Sequence, residues 1–449
     1  MMLNREEVQG LDQLEKYFSQ STTPRDKWRT GLECEIFAVN ADTLHSVPYT
    51  GKQGIEGILG DLIDKYNWKP VYENEKLLGL KNGTSNITLE PGGQIELSGM
   101  PQSRTQSCID EYNRFYQNLI YVCSPKNIRL LPMGYQPVSS LDNIEWLPKT
   151  RYNIMSKYFL DKGTLAHHMM KLSTSVQINI DYADENDFSE KFRLSSYLAP
   201  ILQSIYANSP FKQGTYSNYL DFRGHIWEHT DNDRCGIVKE SFKEDFSFMD
   251  YVNVLLDMPI ILLQKDSKSI PMNGITMRDY MEKEKVYMDD FATHLSFAFF
   301  ETRLKQKYIE MRVIDAQLPN LVPSVPSLIR GLFYHNDTRR SLLDYFSRWS
   351  GDTILDLHYR CHKTGLATSF EKGRLLDLCQ EVFLAGKNGL KGLVKEGILA
   401  EEVDLRNIEP VEEMLIERGT CPAEILLAAW ENNGRNLFRL KDMITIQGD

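Results

Sequence analysis

Polar and apolar residues alternate strictly in several short stretches of the chain. GLECEIFAV at 31–39, STSVQINIDY at 173–182 and YIEMRVIDAQLPN at 308–320 predict strands with one apolar and one polar face. NIRLLPMGYQP reads as a strand running into a loop, and LLGLKNGTSNITLE carries an Asn-Gly turn at Asn82, a hairpin signal. Helical spacing replaces alternation in residues 4–20, in GIEGILGDLIDKY at 54–66 and in SCIDEYNRFYQNLIYVCS at 107–124. A long helix is predicted from Asp184 until Pro210 stops it. LDFRGHIWEHTDNDRCG at 220–236 shows neither period and is predicted as a loop. Past residue 325 the pattern is mostly helical, as in SLIRGLFYH, RLLDLCQEVFLAGK and PAEILLAAWENN. The expected class is α+β: an antiparallel or mixed sheet with one open face and helices on the other. Residues 1–325 are expected to form the catalytic unit and 326–449 a helical region packed on it.

The polar faces of these strands are unusual. Residues two apart in a strand share a face, so Glu33 and Glu35 point together. The same holds for Gln94 with Glu96, for Glu310 with Arg312, and for Gln177, Asn179 and Asp181. ITLEPGGQIELSG sets Glu90 and Glu96 on either side of a Pro-Gly-Gly turn. An ordinary solvated sheet face would mix Lys, Thr and Ser with Glu, and that reading stays open for any one pair. Taken together the faces are mainly Glu and Gln with one Arg. Such carboxylates repel unless a hard divalent cation such as Mg²⁺ sits among them. Cys34, between Glu33 and Glu35, points to the opposite face and reads as core. His167 and His168 precede a strand and are not taken as ligands.

Gly92 and Gly93 permit positive φ and close backbone approach, for a plain turn or for amides that cradle an anion. No phosphate-binding glycine loop of the P-loop or dinucleotide type occurs. Arg223, in the company of His225 and Trp227, suits bidentate capture of a carboxylate, and Trp227 could wall the same pocket. Arg151 and Tyr152 stand just before a helix; a surface ion pair is the plainer use of such an arginine.

Composition narrows the class without naming a function. The chain has 449 residues, 42% hydrophobic and 25% charged, enough for one large core or two to three domains. A formal net charge of −11 argues against a nucleic-acid partner. Seven cysteines without a C-x-x-C pair fit a reducing compartment. The first residues lack the apolar run of a signal peptide, and no stretch is long enough to span a membrane. The expectation is a cytoplasmic protein.

Taken in order, ITLEPGGQIELSG, MGYQP, LPKTRYNIM, HHMMKLSTSVQINID, ANSPF, FRGHIW with TDNDRCG, GITMRDYM and LKQKYIEMR resemble the plant-type glutamate–cysteine ligases, a group also found in bacteria. The resemblance runs from about residue 30 to at least 340. It implies a glutamine-synthetase-like fold, an antiparallel sheet curved into a funnel that holds ATP, magnesium and an amino acid. The implied reaction joins the γ-carboxylate of L-glutamate to L-cysteine through γ-glutamyl phosphate, the first step of glutathione synthesis. It implies Glu33, Glu35, Glu90, Glu96 and Glu310 as Mg²⁺ ligands and Gln177 as a further metal or phosphate contact. Arg312 would meet the transferred phosphoryl group, with Glu96 and Glu310 beside it. Arg223 would receive the substrate α-carboxylate, with Arg151 and Trp227 in the pocket. Glutathione feedback, and a monomer or weak homodimer, are in keeping with the resemblance. The regulatory disulfides of plant members are not carried over to so few cysteines. A ligase for another amine and a non-catalytic binding protein on the same fold stay open. The last hundred residues match no motif and read as a divergent or added helical region.

Overall fold

The computed structural model describes residues 6–265, 268–272 and 274–447. Nine strands form one antiparallel sheet: β1 (Thr30–Asn40), β2 (Lys69–Glu73), β3 (Lys76–Asn82), β4 (Ser85–Leu89), β5 (Ile95–Ser98), β6 (Ile128–Leu131), β7 (Ser175–Ile180), β8 (Thr302–Leu304) and β9 (Ile309–Asp315). Their order is β8-β9-β7-β1-β5-β4-β3-β2, and β6 pairs with the far end of β1. Smaller two-stranded ribbons include the parallel pair Cys235–Gly236 with Phe299–Phe300.

The α+β class stands, but the expected curved funnel does not. The sheet is open and neither closes nor strongly curls: β8 ends one edge and β2 the other. Closure needs those edges to pair. The sequence of β2, KPVYE, is poorly suited to that, with two charges and a proline along an edge. The concavity of the molecule is made instead by helices and loops standing on one sheet face.

Alternation explains the layering. Leu32, Cys34 and Ile36 of β1 enter the main apolar core, while Glu33 and Glu35 between them face the other way. Helix Thr105–Cys123 closes the core side, its Cys108 thiol donating to the Thr30 carbonyl. Helices Glu185–Ile205 and Ser324–Phe333 also pack on the sheet. Arg330, fully buried, ties the later helices to the sheet by donating to Thr30 Oγ1, Gln102 O, Ser103 O and Leu399 O.

The predicted hairpin is β3–β4, where Gly83 supplies the positive φ of its turn. The helix predicted over 4–20 spans only Leu11–Ser19; residues 4 and 5 lie outside the described residues, and Glu7 bridges to Tyr287. The segment predicted as a loop at 220–236 contains a helix, Phe222–Glu228, started by Asp221, whose side chain accepts from the Gly224 N–H. Its two turns bury Phe222, Arg223, Ile226 and Trp227. No helix among the described residues is long and apolar enough to cross a membrane.

Candidate active site

The polar faces of β1, β5, β7 and β9 converge on one cavity of ≈ 350 Å³. Its lining includes Glu33, Glu35, Glu90, Glu96, Gln177, Glu310, Arg312, Arg151, Arg223 and Trp227; Asn179, Asp181 and His225 are not part of it. The strand register brings them together. Glu35 stands directly opposite Glu96, and Glu33 opposite Gln177. Glu310 stands opposite Asn179 on one side and Arg303 on the other.

The carboxylates fall into two groups. Glu310 is buried and accepts from both Arg303 and Arg312. Burial would push its acidity down, but Arg303, Arg312 and Lys305 outweigh that and hold its pKa near about 2. Glu33, Glu35, Glu90 and Glu96 have no ion pair among the described residues. Ser175 N–H donates to Glu35 at 2.8 Å and Gln177 Nε2 at 2.9 Å. Asn179 donates to Glu33 at 2.7 Å, and Thr88 donates to Glu96. These neutral donors are not enough. Burial and the neighbouring Glu90 push Glu35 up to about 7. Burial together with Glu90, Glu33 and Glu35 drives Glu96 well above the usual carboxylate range. Burial and Glu310 raise Glu33.

The arginines are held as firmly. A bulge between Met311 and Ile314 interrupts the β9–β7 register beside Arg312, which still shares the cavity face with Glu310. Its Nη1 donates to Gln177 Oε1 at 2.5 Å, and Gln177 thereby links Arg312 to Glu35. Arg223 donates to the carbonyls of Arg312 (2.9 Å) and Val313 (3.4 Å), while its Nε has no partner. Trp227 lies 5.8 Å from the Arg223 guanidinium and 5.7 Å from that of Arg312. Arg151 rests over Phe297 and likewise keeps an unpartnered Nε.

The Pro-Gly-Gly turn does not offer its amides to a ligand. Gly92 N–H donates to Gln94 Oε1 and Gly93 N–H to the Glu90 carbonyl. Glycine is needed at 93 for φ +84° and at 92 because a Cβ would stand 2.3 Å from the Lys171 carbonyl. Gln94 donates to the Met170 and Ser173 carbonyls, so its role is to fix the turn. His167 and His168 bond to Ser156 O and Tyr135 and stay out of the cavity.

Sequence reasoning missed Arg303 and Lys305. Both line the cavity, and Lys305 is held down to about 8 by burial and the nearby Arg303. Their signal was the TRLK segment feeding the β8–β9 hairpin, readable only once that pairing is known.

Comparison with known proteins gives these positions their context. The family described as glutamate-cysteine ligase family 2 matches residues 29–440. The match reaches far past residue 340, so the C-terminal helices are part of the family's chain and not an addition. Glutamate–cysteine ligase B, chloroplastic, of Oryza sativa subsp. japonica is 36% identical over 430 residues, covering 94% of this chain and 84% of its own. Glutamate–cysteine ligase, chloroplastic, of Arabidopsis thaliana is 34% identical over 411 residues, covering 89% and 78%. Among solved structures, the glutamate–cysteine ligase of Francisella tularensis in complex with AMP shares the fold at a TM-score of 0.58 with 12% identity, covering 93% of this chain and 87% of that one. The cytoplasmic expectation does not survive: these plant relatives are chloroplastic by name. The seven cysteines are unpaired and do not bear on the compartment. The chain belongs to glutamate–cysteine ligase family 2.

Proposed function

We propose that this protein joins the γ-carboxylate of L-glutamate to the amine of L-cysteine at the cost of ATP, giving γ-glutamylcysteine, ADP and phosphate. The observation that carries the reading is the cavity in which clustered, largely buried carboxylates that make no ion pair among the described residues face a set of fixed guanidinium groups. Amide formation from a carboxylate needs a leaving group better than oxide. A γ-carboxylate oxygen attacks the γ-phosphorus of ATP, the bond to the ADP oxygen breaks, and γ-glutamyl phosphate forms. The cysteine nitrogen, having lost a proton, then attacks the acyl carbon and phosphate departs.

Neither step needs a nucleophilic side chain, so the protein's part is positioning and charge. Arg312, locked between Gln177 and Glu310, is placed for the phosphoryl group, and its charge cannot be lost. Arg223 is assigned to the α-carboxylate of glutamate, as a cation fixed in the cavity wall beside Asp315. Trp227 lies beside both guanidiniums and forms part of the cavity wall. Arg151, Arg303 and Lys305 add positive charge around a substrate rich in negative charge.

Glu33, Glu35, Glu90 and Glu96 fit a hard divalent cation such as Mg²⁺. They are oxygen donors only, mutually repelling, and the cavity lining holds no histidine or cysteine. Glu310 keeps one oxygen for the same purpose, since both arginines take Oε2. Such an ion, when bound, would supply charge neutralisation for phosphoryl transfer.

The test is mass detection of γ-glutamylcysteine from purified protein given Mg²⁺, ATP, glutamate and cysteine. One ADP per γ-glutamylcysteine is expected. A product formed only with another amine, or none with any amine, would overturn the assignment.

A further inference from the structure

Helix Phe222–Glu228 has a second functional face. Arg223 and Trp227, one turn apart, look into the cavity. His225, Glu228 and His229, spaced i, i+3 and i+4, lie on the other side, and one ligand atom from each falls within 4.8 Å of the others. Glu228 Oε2 is the centre of the group. It lies 3.7 Å from His225 Nδ1, 3.9 Å from His229 Nδ1 and 3.5 Å from Nδ1 of His362.

His362 is the independent observation. It comes from a distant helix, Gly351–Thr364, and is fully buried; its Nε2 has no hydrogen-bond partner, and its Nδ1 meets only the Glu228 carboxylate, at 3.5 Å. A buried imidazole left so is costly and rare. The fold holds it there deliberately. Its carbonyl accepts the N–H groups of Leu220 and Asp221, and its ring rests on Gly224, where a Cβ would come 2.6 Å from Cδ2 and 2.8 Å from Nε2. Oδ2 of Asp221, also buried and unpartnered, borders the same gap at 2.3 Å from that Cβ position. On the open side, Glu228 and His229 line a surface groove with Asp231 and Cys235, which gives an ion a way in.

We propose that His225, Glu228, His229 and His362 form a site for a borderline divalent cation, Zn²⁺ or an ion of similar chemistry. Three imidazoles and one carboxylate suit a four-coordinate Zn²⁺ and are a poor match for Mg²⁺. With all four positions filled by protein the site is structural. It staples helix Phe222–Glu228 to helix Gly351–Thr364, and so fixes the helix that presents Arg223 and Trp227. Three of the four groups are part-exposed, which leaves their side chains room to turn, while His362 is fixed by its packing; His229 Nδ1 bonds the His225 carbonyl, so Nε2 is its free ligand atom.

Metal-stripped protein titrated with Co²⁺, in excess Mg²⁺, tests this without reference to ligase activity. One equivalent should bind with the strong visible absorption of tetrahedral Co²⁺, and one equivalent of Zn²⁺ should erase it. His225→Ala and Glu228→Gln should each weaken Co²⁺ binding at least about tenfold. His229→Gln, at the most exposed of the four, should do the same with an unchanged circular dichroism spectrum. His45→Ala, remote from the group, should leave the spectrum intact. No tetrahedral absorption in the wild type, an unchanged affinity in His225→Ala and His229→Gln, or displacement of Co²⁺ by Mg²⁺ would overturn the site.

Discussion

Glu310 and Glu96 line the same cavity, both nearly buried, and differ in what answers their charge. Glu310 is met by guanidiniums built into the chain, Arg303 across the hairpin and Arg312 two residues on. Glu96 is met by a threonine hydroxyl and by another carboxylate, Glu35, directly opposite in the register. Like charges opposed across a ladder destabilise a sheet. The first carboxylate therefore belongs to the permanent structure. On the proposed function, the second belongs to a site that an exchangeable cation would complete. A ligase that must bind and release a charged nucleotide in every turnover needs both: fixed charge to orient, removable charge to neutralise.

The largest effect is expected where fixed charge meets the reacting phosphoryl group. Arg312→Ala should lower kcat by about 10³-fold or more, measured by ADP release at saturating substrates. A loss below tenfold would remove Arg312 from that role.

The comparison is sharpened next by the same substitution on both sides of it. Glu310→Gln leaves Arg303 and Arg312 buried without their partner and should cost about 3–5 kcal/mol of stability in denaturant unfolding. Glu96→Gln should leave the metal-free protein as stable or more so, because it replaces a group whose ionisation burial and the neighbouring carboxylates oppose. It should still abolish turnover at ordinary Mg²⁺. Equal destabilisation by the two would erase the distinction between them.

Arg223→Ala should raise the KM for glutamate strongly while the KM for ATP changes little. Equal changes in both would mean that Arg223 supports the cavity generally, through the carbonyls of Arg312 and Val313 that it holds.

The smallest effect is in the metal-free protein's response to pH. Glu35 moves from an ordinary value of 4.5 up to about 7 on folding, and Glu33 and Glu96 move the same way. Between those values the folded state holds more protons than the unfolded state, so stability falls as pH rises through the window. Urea unfolding at several pH values should show this slope, and added Mg²⁺ should flatten it.

Much of this comparison was legible in the sequence, for a physical reason. A period of two is rigid, so Glu33 and Glu35, or Glu310 and Arg312, had to share a face, and Cys34 had to leave it. Which strands lie side by side is not periodic information. The Glu35–Glu96 and Arg303–Glu310 oppositions come from pairing between distant segments, so Arg303 and Lys305 went unread. The bulge beside Arg312 leaves no mark in composition. Nor does curvature: alternation is the same in an open sheet and a closed one, and the expected funnel was an open sheet with helices raised on it. Helix Phe222–Glu228 was read as a loop because its Gly, His and Trp are weak helix formers and its amphipathic pattern lasts under two turns. Asp221 as its cap and the spacing of His225, Glu228 and His229 were the available signals.

The most direct test of the exchangeable-cation claim is calorimetric titration of Mg²⁺ into the protein near pH 6, in two buffers of different ionisation enthalpy. Binding should release protons, because carboxylates held protonated by one another must ionise to take the ion. The release should fade above about pH 8 and shrink in Glu96→Gln, whose Mg²⁺ affinity should also be weaker. Binding without proton release, and equally tight in Glu96→Gln, would contradict the account.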